Sequence, residues 1–139
     1  MFRVVLDTNL VVSGALWLGK PGKVLDAALD GLFISVTSEP ILAELNRVLS
    51  RDKFEPKFRE RGLTARDIVS RIRLSSELID PLPIDDVPVR DPKDVMLVEC
   101  AVAGKVDYLI SGDKDLLEIT GFPAVTIISP SKFLEILFG

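Results

Sequence analysis

The chain of 139 residues contains no histidine. That absence removes the usual general base of Ser-His-Asp and Cys-His nucleophile systems, and with it every zinc site that needs imidazole. Acid–base or metal chemistry must therefore rest on carboxylates. Cys100 stands alone, so no intrachain disulfide can form, and a cytoplasmic location is the expectation. No apolar run approaches the roughly 20 residues of a membrane-crossing helix. The N-terminus lacks the basic, apolar and cleavage regions of a signal peptide. Positive charge is in slight deficit: 17 Lys and Arg against 21 Asp and Glu, a formal net charge of -4 and a pI of about 4.9. By itself that balance counts against a nucleic-acid partner. The distribution of charge matters more, and it is uneven.

What is present suits a folded α/β protein. Hydrophobic residues make up 47% and charged residues 27%, enough to bury an ordinary core, and the length predicts one domain over residues 1–139. Val4-Val5-Leu6, Leu32 to Thr37, Asp107 to Ser111 and Val125 to Ile128 read as mainly apolar strands, suited to burial on both faces of a parallel sheet. Between them lie helical patterns. Leu10 to Trp17 reads as a short helix with Asp7 or Thr8 near its cap, and Gly19 to Gly22 reads as a loop. Pro21 is placed to open a second helix, with Val24, Leu25, Ala28 and Leu29 as its stripe and Gly31 ending it. Ser38 should cap a third, with its stripe at Ile41, Leu42, Leu45, Val48 and Leu49 and Glu44 on the shoulder of that stripe. Asp91-Pro92 and Gly104 bracket a further helix that carries Asp94 in its first turn. Thr64 starts a helix with capping-box spacing, with Ile68, Ile72 and Leu78 expected on one face. Pro81 and Pro83 demote Leu78 to Pro83 to an edge strand or loop. Ser129-Pro130 opens the last helix, with Phe133, Leu134, Ile136, Leu137 and Phe138 on or near its buried face.

This alternation predicts an α/β fold with a mainly parallel central sheet. Right-handed crossovers bring the carboxyl ends of parallel strands to one edge, which is where such sheets bind ligands. Asp7 follows the first strand, and Asp113 and Asp115 follow the Tyr108 strand. Asp94 and Glu44 sit on helices that start at the same edge. Clustered carboxylates repel unless neutralised, and a hard divalent cation, Mg²⁺ or Mn²⁺, is the natural neutraliser. One or two such ions orient a water for in-line attack on a phosphodiester. For Asp7 taken alone, capping the following helix is an equally ordinary role. From Arg47 to Arg73 the chain is basic, opening with Arg47, Arg51 and Lys53 and interleaved with Phe54 and Phe58. Such a run is commonly a solvated helical pair laced by salt bridges; it also suits a phosphate-tracking surface, and the two roles are compatible.

Four pieces in order carry a family likeness: Val5-Leu6-Asp7-Thr8-Asn9, Ile41-Leu42-Ala43-Glu44-Leu45, Asp91-Pro92-Lys93-Asp94, and Asp107 through Ser111-Gly112-Asp113-Lys114-Asp115-Leu116. Over almost its whole length the chain resembles PIN-domain proteins of the type found as toxins in bacterial and archaeal toxin–antitoxin pairs. The resemblance implies a three-layer α/β/α fold. It implies that Asp7, Glu44, Asp94 and Asp113 bind Mg²⁺ or Mn²⁺ and cut single-stranded RNA, with Asp115 as an additional acidic metal ligand and Asn9 and Ser111 as polar supports. Ser111 stands where many members have threonine. The resemblance further implies a homodimer and a small antitoxin partner, with no membrane association.

Two other readings compete. A haloacid-dehalogenase-like phosphatase also begins with a strand ending in Asp, yet Asn9 occupies the place of that family's second aspartate, and Gly112-Asp113-Lys114-Asp115 is too tightly spaced for its late motif. A non-catalytic RNA-binding or protein-interaction module of the same fold would suit the acidic pI but leaves the complete acidic set unused.

Overall fold

The computed structural model describes residues 1–17, 19–119 and 124–139. Strand β1 (Arg3–Leu6) lies at the middle of the sheet, flanked by β2 (Ile34–Thr37) and β4 (Tyr108–Ile110), and Val4 sits opposite both Ser35 and Tyr108. Strand β3 (Ser76–Leu78) extends the sheet beyond β2, and β5 (Ile127–Ile128) beyond β4. The order is β3-β2-β1-β4-β5, and every pairing among the described residues is parallel, a stricter outcome than the mainly parallel sheet expected.

Eight α-helices are present among the described residues: α1 (Thr8–Leu16), α2 (Lys20–Leu29), α3 (Glu39–Leu49), α4 (Glu55–Glu60), α5 (Ala65–Ser75), α6 (Pro92–Ala103), α7 (Lys114–Leu117) and α8 (Pro130–Phe138). The local rules account for most of their starts. The Ser38 hydroxyl caps α3, Thr64 and Asp67 close a reciprocal capping box on α5, and Ser129 accepts from Lys132 N at the start of α8. The loop expected over Gly19 to Gly22 is instead the N-cap and first turn of α2, because Pro21 tolerates a first-turn position where its missing N–H has no partner to lose.

Alternation along the strands divides the core into two layers. Val4, Leu6 and Ile110 face a cluster built with α1, α2, α3, α5 and α8; Val5, Val36 and Leu109 face Leu97, Val98 and Ala101 of α6 and Leu116 of α7. The result is the three-layer α/β/α arrangement. Burial of each such aliphatic side chain contributes roughly 1.5–3 kcal/mol.

Two expected core positions lie elsewhere. Leu78 does not continue the α5 face: the helix ends at Ser75, the chain turns into β3, and Leu78 is exposed at the sheet edge. Phe138 is exposed at the end of α8, next to Leu137, which still packs against the core. Strands β2 and β5 are also shorter than their expected runs, since Leu32, Phe33, Val125 and Thr126 pair into no strand, and β4 leaves out Asp107 and Ser111.

Helices α1 and α2 cross at Gly14, where an added Cβ would stand 2.8 Å from the Pro21 carbonyl oxygen. Backbone cannot yield there as a flexible side chain could. Gly14→Val is therefore expected to lower the unfolding free energy by about 2 kcal/mol, read as a lower urea midpoint with an unchanged slope.

Candidate active site

Both central strands deliver their chemistry at the carboxyl edge. Asp7 follows β1 directly, is 4% exposed, and caps α1: one carboxylate oxygen accepts from Asn9 N at 3.1 Å. Its other oxygen accepts from the Ser111 hydroxyl at 2.6 Å. Ser111 follows β4, is fully buried, and its Oγ accepts in turn from Asp113 N at 3.0 Å. One hydroxyl thus ties the end of β1 to the turn that presents Asp113. Asp113 caps α7 through a bond from Asp115 N at 2.9 Å. Capping and ion binding are not exclusive, because each carboxylate oxygen has more than one lone pair.

Asp94 is the third residue of α6. Its neighbour Asp91 is exposed and accepts from Lys93 N at 3.0 Å, the cap role expected of it. Glu44 lies in the second turn of α3 rather than the first. Asp7, Glu44, Asp94 and Asp113 line one cleft of about 130 Å³ together with Asn9, Arg51 and Lys93. The expected acids therefore converge. Asp115 does not line the cleft; it is exposed beside it.

The charges in the cleft are unevenly compensated. Glu44 is gripped by Arg47, with contacts of 3.0 and 2.7 Å, and Lys93 approaches it at 3.5 Å. The Arg47 guanidinium, assisted by Lys93, holds the Glu44 carboxyl below its ordinary range. Asp7, Asp94 and Asp113 have no such partner among the described residues. Burial pushes the Asp7 carboxyl up, against the Ser111 and Asn9 bonds that pull it down. Asp94 is pushed up to about 6, by burial first and then by the charges of Asp7, Asp91, Asp113 and Asp115.

This donor set fits a hard divalent cation. It is all oxygen and carries clustered negative charge, and burial first and neighbouring carboxylates second push Asp7 and Asp94 up, a cost that a bound cation would relieve. In the present side-chain arrangement no three acids among the described residues already form a closed ligand group. Glu44 is the acid turned towards cations of the chain itself.

The basic stretch divides on folding. Arg51 reaches the cleft, Arg47 is committed to Glu44, and Lys53 lies over the Phe54 ring at 5.0 Å, outside the cleft lining. Sequence reasoning missed Lys93. Its place inside Asp91-Pro92-Lys93-Asp94 was visible, but its approach to Glu44 depends on α6 packing beside α3.

The repulsion has a stability consequence. Unfolded, Asp94 ionises near the usual carboxylate range; folded, it ionises near 6. Between those values the folded state retains a proton that the unfolded state has lost, so stability falls as pH rises through this window and the full penalty stands above it. For the metal-free protein, Asp94→Asn should raise stability near neutral pH on the order of 1 kcal/mol, allowing for screening at a half-buried site. The gain should shrink towards about pH 4.5, where the parent carboxyl is largely protonated. Urea titrations of both proteins in EDTA at the two pH values check this; an equal gain at both would refute it.

An all-parallel α/β/α sheet with acids converging at its carboxyl edge defines the structural class. Residues 3–115 match the PIN domain family model, and the chain belongs to the PIN-domain family. It is 30% identical over 118 residues to the protein MJ1680 of Methanocaldococcus jannaschii, described as uncharacterized, covering 84% of this chain and 74% of that one. Its fold is similar to the crystal structure of VapBC2 from Rickettsia felis bound to a DNA fragment from their promoter. The TM-score is 0.63 at 16% identity, over 91% of this chain and 98% of that chain. At that identity the likeness concerns the fold alone.

Proposed function

We propose that this protein is a divalent-cation-dependent endoribonuclease acting on single-stranded RNA. The observation that carries the reading is the cleft in which Asp7, Asp94 and Asp113 converge with no lysine or arginine of the described residues within ion-pair distance of them, while burial raises Asp7 and Asp94. Asp7, Glu44, Asp94 and Asp113 would hold Mg²⁺ or Mn²⁺, with Asp115 adding negative charge at the rim. PIN domains are typically nucleases that use such ions, which supports the assignment. The chemistry such an ion would supply is polarisation of the phosphodiester and activation of a water for attack.

The chain's own residues prepare the site. Ser111 holds Asp7 and the Asp113 turn in fixed relation, and the cap on Asn9 N fixes the Asp7 rotamer. Arg47 and Lys93 hold Glu44 at the wall of the cleft. Arg51 is placed to meet a substrate phosphate. We further propose that residues 1–139 act as one unit, as the cytoplasmic toxin of a toxin–antitoxin pair, dimeric and restrained by a small antitoxin.

The test is direct. Purified protein should cleave a labelled single-stranded RNA in Mg²⁺ or Mn²⁺ and stop when EDTA is added. RNA left intact with either ion, or cut equally well in EDTA, would sink the proposal. The PIN assignment leaves the phosphatase reading without support, and phosphomonoester hydrolysis is not expected.

A further inference from the structure

The acid cleft is not an isolated depression. Glu44 and Val48 of α3, and Arg51 two residues beyond the end of that helix, line its wall. Arg51 then belongs also to a second groove, of about 520 Å³, between the end of α3, α4 and the start of α5. The floor of that groove is apolar, made by Leu49, Phe58 and Leu63, and Asn46 and Ser50 offer polar groups at its wall. Of the arginines that line it, Arg59 is paired with Glu55, whereas Arg51 and Arg66 have no carboxylate within ion-pair distance among the described residues. Asp52 and Glu55 are the acids of its lining, and Glu55 is the one held by Arg59.

We infer that this second groove is a nucleotide subsite, taking one unpaired nucleotide of the RNA at a remove from the cleavage position. The inference rests on the ribonuclease reading of the acid cleft. Its volume lies in the range of small-molecule sites, roughly 300–1,000 Å³. An apolar floor with a few polar wall groups suits a splayed-out base, whose faces are apolar and whose edges hydrogen-bond. Arg51 and Arg66 supply the charge that a phosphate backbone requires. Arg51 lines both depressions, which places one cation where a strand would pass from the acids to the groove. Asn46 is the amide in reach of a base edge and would set any preference for the base seated there.

Binding can be measured apart from cleavage. In an Asp7→Asn background with Mg²⁺, labelled single-stranded RNAs of three and ten nucleotides are titrated by fluorescence anisotropy at several salt concentrations. The ten-mer should bind more tightly than the three-mer. Adding Arg66→Gln should weaken ten-mer binding about fivefold to tenfold and reduce the slope of log K against log salt by about 0.7, one single-strand phosphate contact. Asp52→Asn should shift affinity the other way. Arg66 and Asp52 are exposed, so both variants should fold, and thermal melts verify it. Ten-mer affinity and salt slope unmoved by Arg66→Gln, while the chain with Asp7 intact still cuts RNA, overturn the subsite alone and assign the groove to another occupant, a protein segment included. RNA neither bound by the Asp7→Asn chain nor cut by the intact one overturns the ribonuclease reading and the subsite with it.

Discussion

Asp7→Asn is expected to lower RNA cleavage at least about a hundredfold, some 2.7 kcal/mol of transition-state stabilisation or more, while the protein stays folded. The change removes one charge from the deepest acid of the cleft and alters little else. The asparagine side-chain oxygen can still accept from Asn9 N or from Ser111, and the Ser111 hydroxyl, already an acceptor from Asp113 N, has a second lone pair for the new amide donor. Burial raises Asp7 in the native state, so its ionised form is a cost to the metal-free fold. Loss of that charge should leave the melting temperature unchanged or higher in EDTA. Activity and stability should therefore move in opposite directions, which separates a role in chemistry from a role in folding. Kinetics on a labelled RNA, paired with thermal melts, provide the check. Cleavage within a few-fold of the parent would remove Asp7 from the site assignment.

The largest stability effect is expected at Phe133. Its ring is fully buried and meets Phe33 edge-on at 5.0 Å, with Tyr108 at 6.1 Å and Phe2 at 6.2 Å. Phe2 precedes β1, Phe33 precedes β2 and Tyr108 begins β4, so one side chain of α8 joins the starts of the three central strands. Truncation to alanine leaves a cavity among rigid rings that cannot collapse into it, costing about 3–5 kcal/mol. Against a total of about 5–15 kcal/mol for a typical protein, that is a large fraction. Phe133→Ala should show a much lower urea midpoint, whereas Phe133→Leu should retain part of the loss. A shift below about 1 kcal/mol would mean that α8 is not held by this cluster.

These two residues also mark how far a linear reading reaches. Asp7 and Phe133 were both visible as candidates, because each stands out against its own neighbours: a carboxylate ending an apolar run, a phenylalanine at helical spacing. The capping serines and aspartates were legible for the same reason, since a cap bond joins groups within three residues. Leu78 failed because its helical spacing continued past the point where the backbone left the helix, and the parallel pairing with Thr37 that drew it away lies far off in the chain. Arg47 shows one of the two roles open to the basic run: it pairs with Glu44, three residues back on the same helix face.

The sequence by itself determined the kinds of element, the acids at the carboxyl ends of β1 and β4, and the exclusion of histidine chemistry, because these follow from side-chain type and from interactions a few residues long. Tertiary structure alone decided the strand order, the approach of Lys93 to Glu44, the tie from Ser111 to Asp7, and which arginine faces the acids. Each of these joins groups from different elements, and their meeting depends on how the helices pack across the sheet. Neighbouring positions therefore acquire opposite roles: Arg51 opens onto the cleft, while Lys53, two residues on, turns to the Phe54 ring.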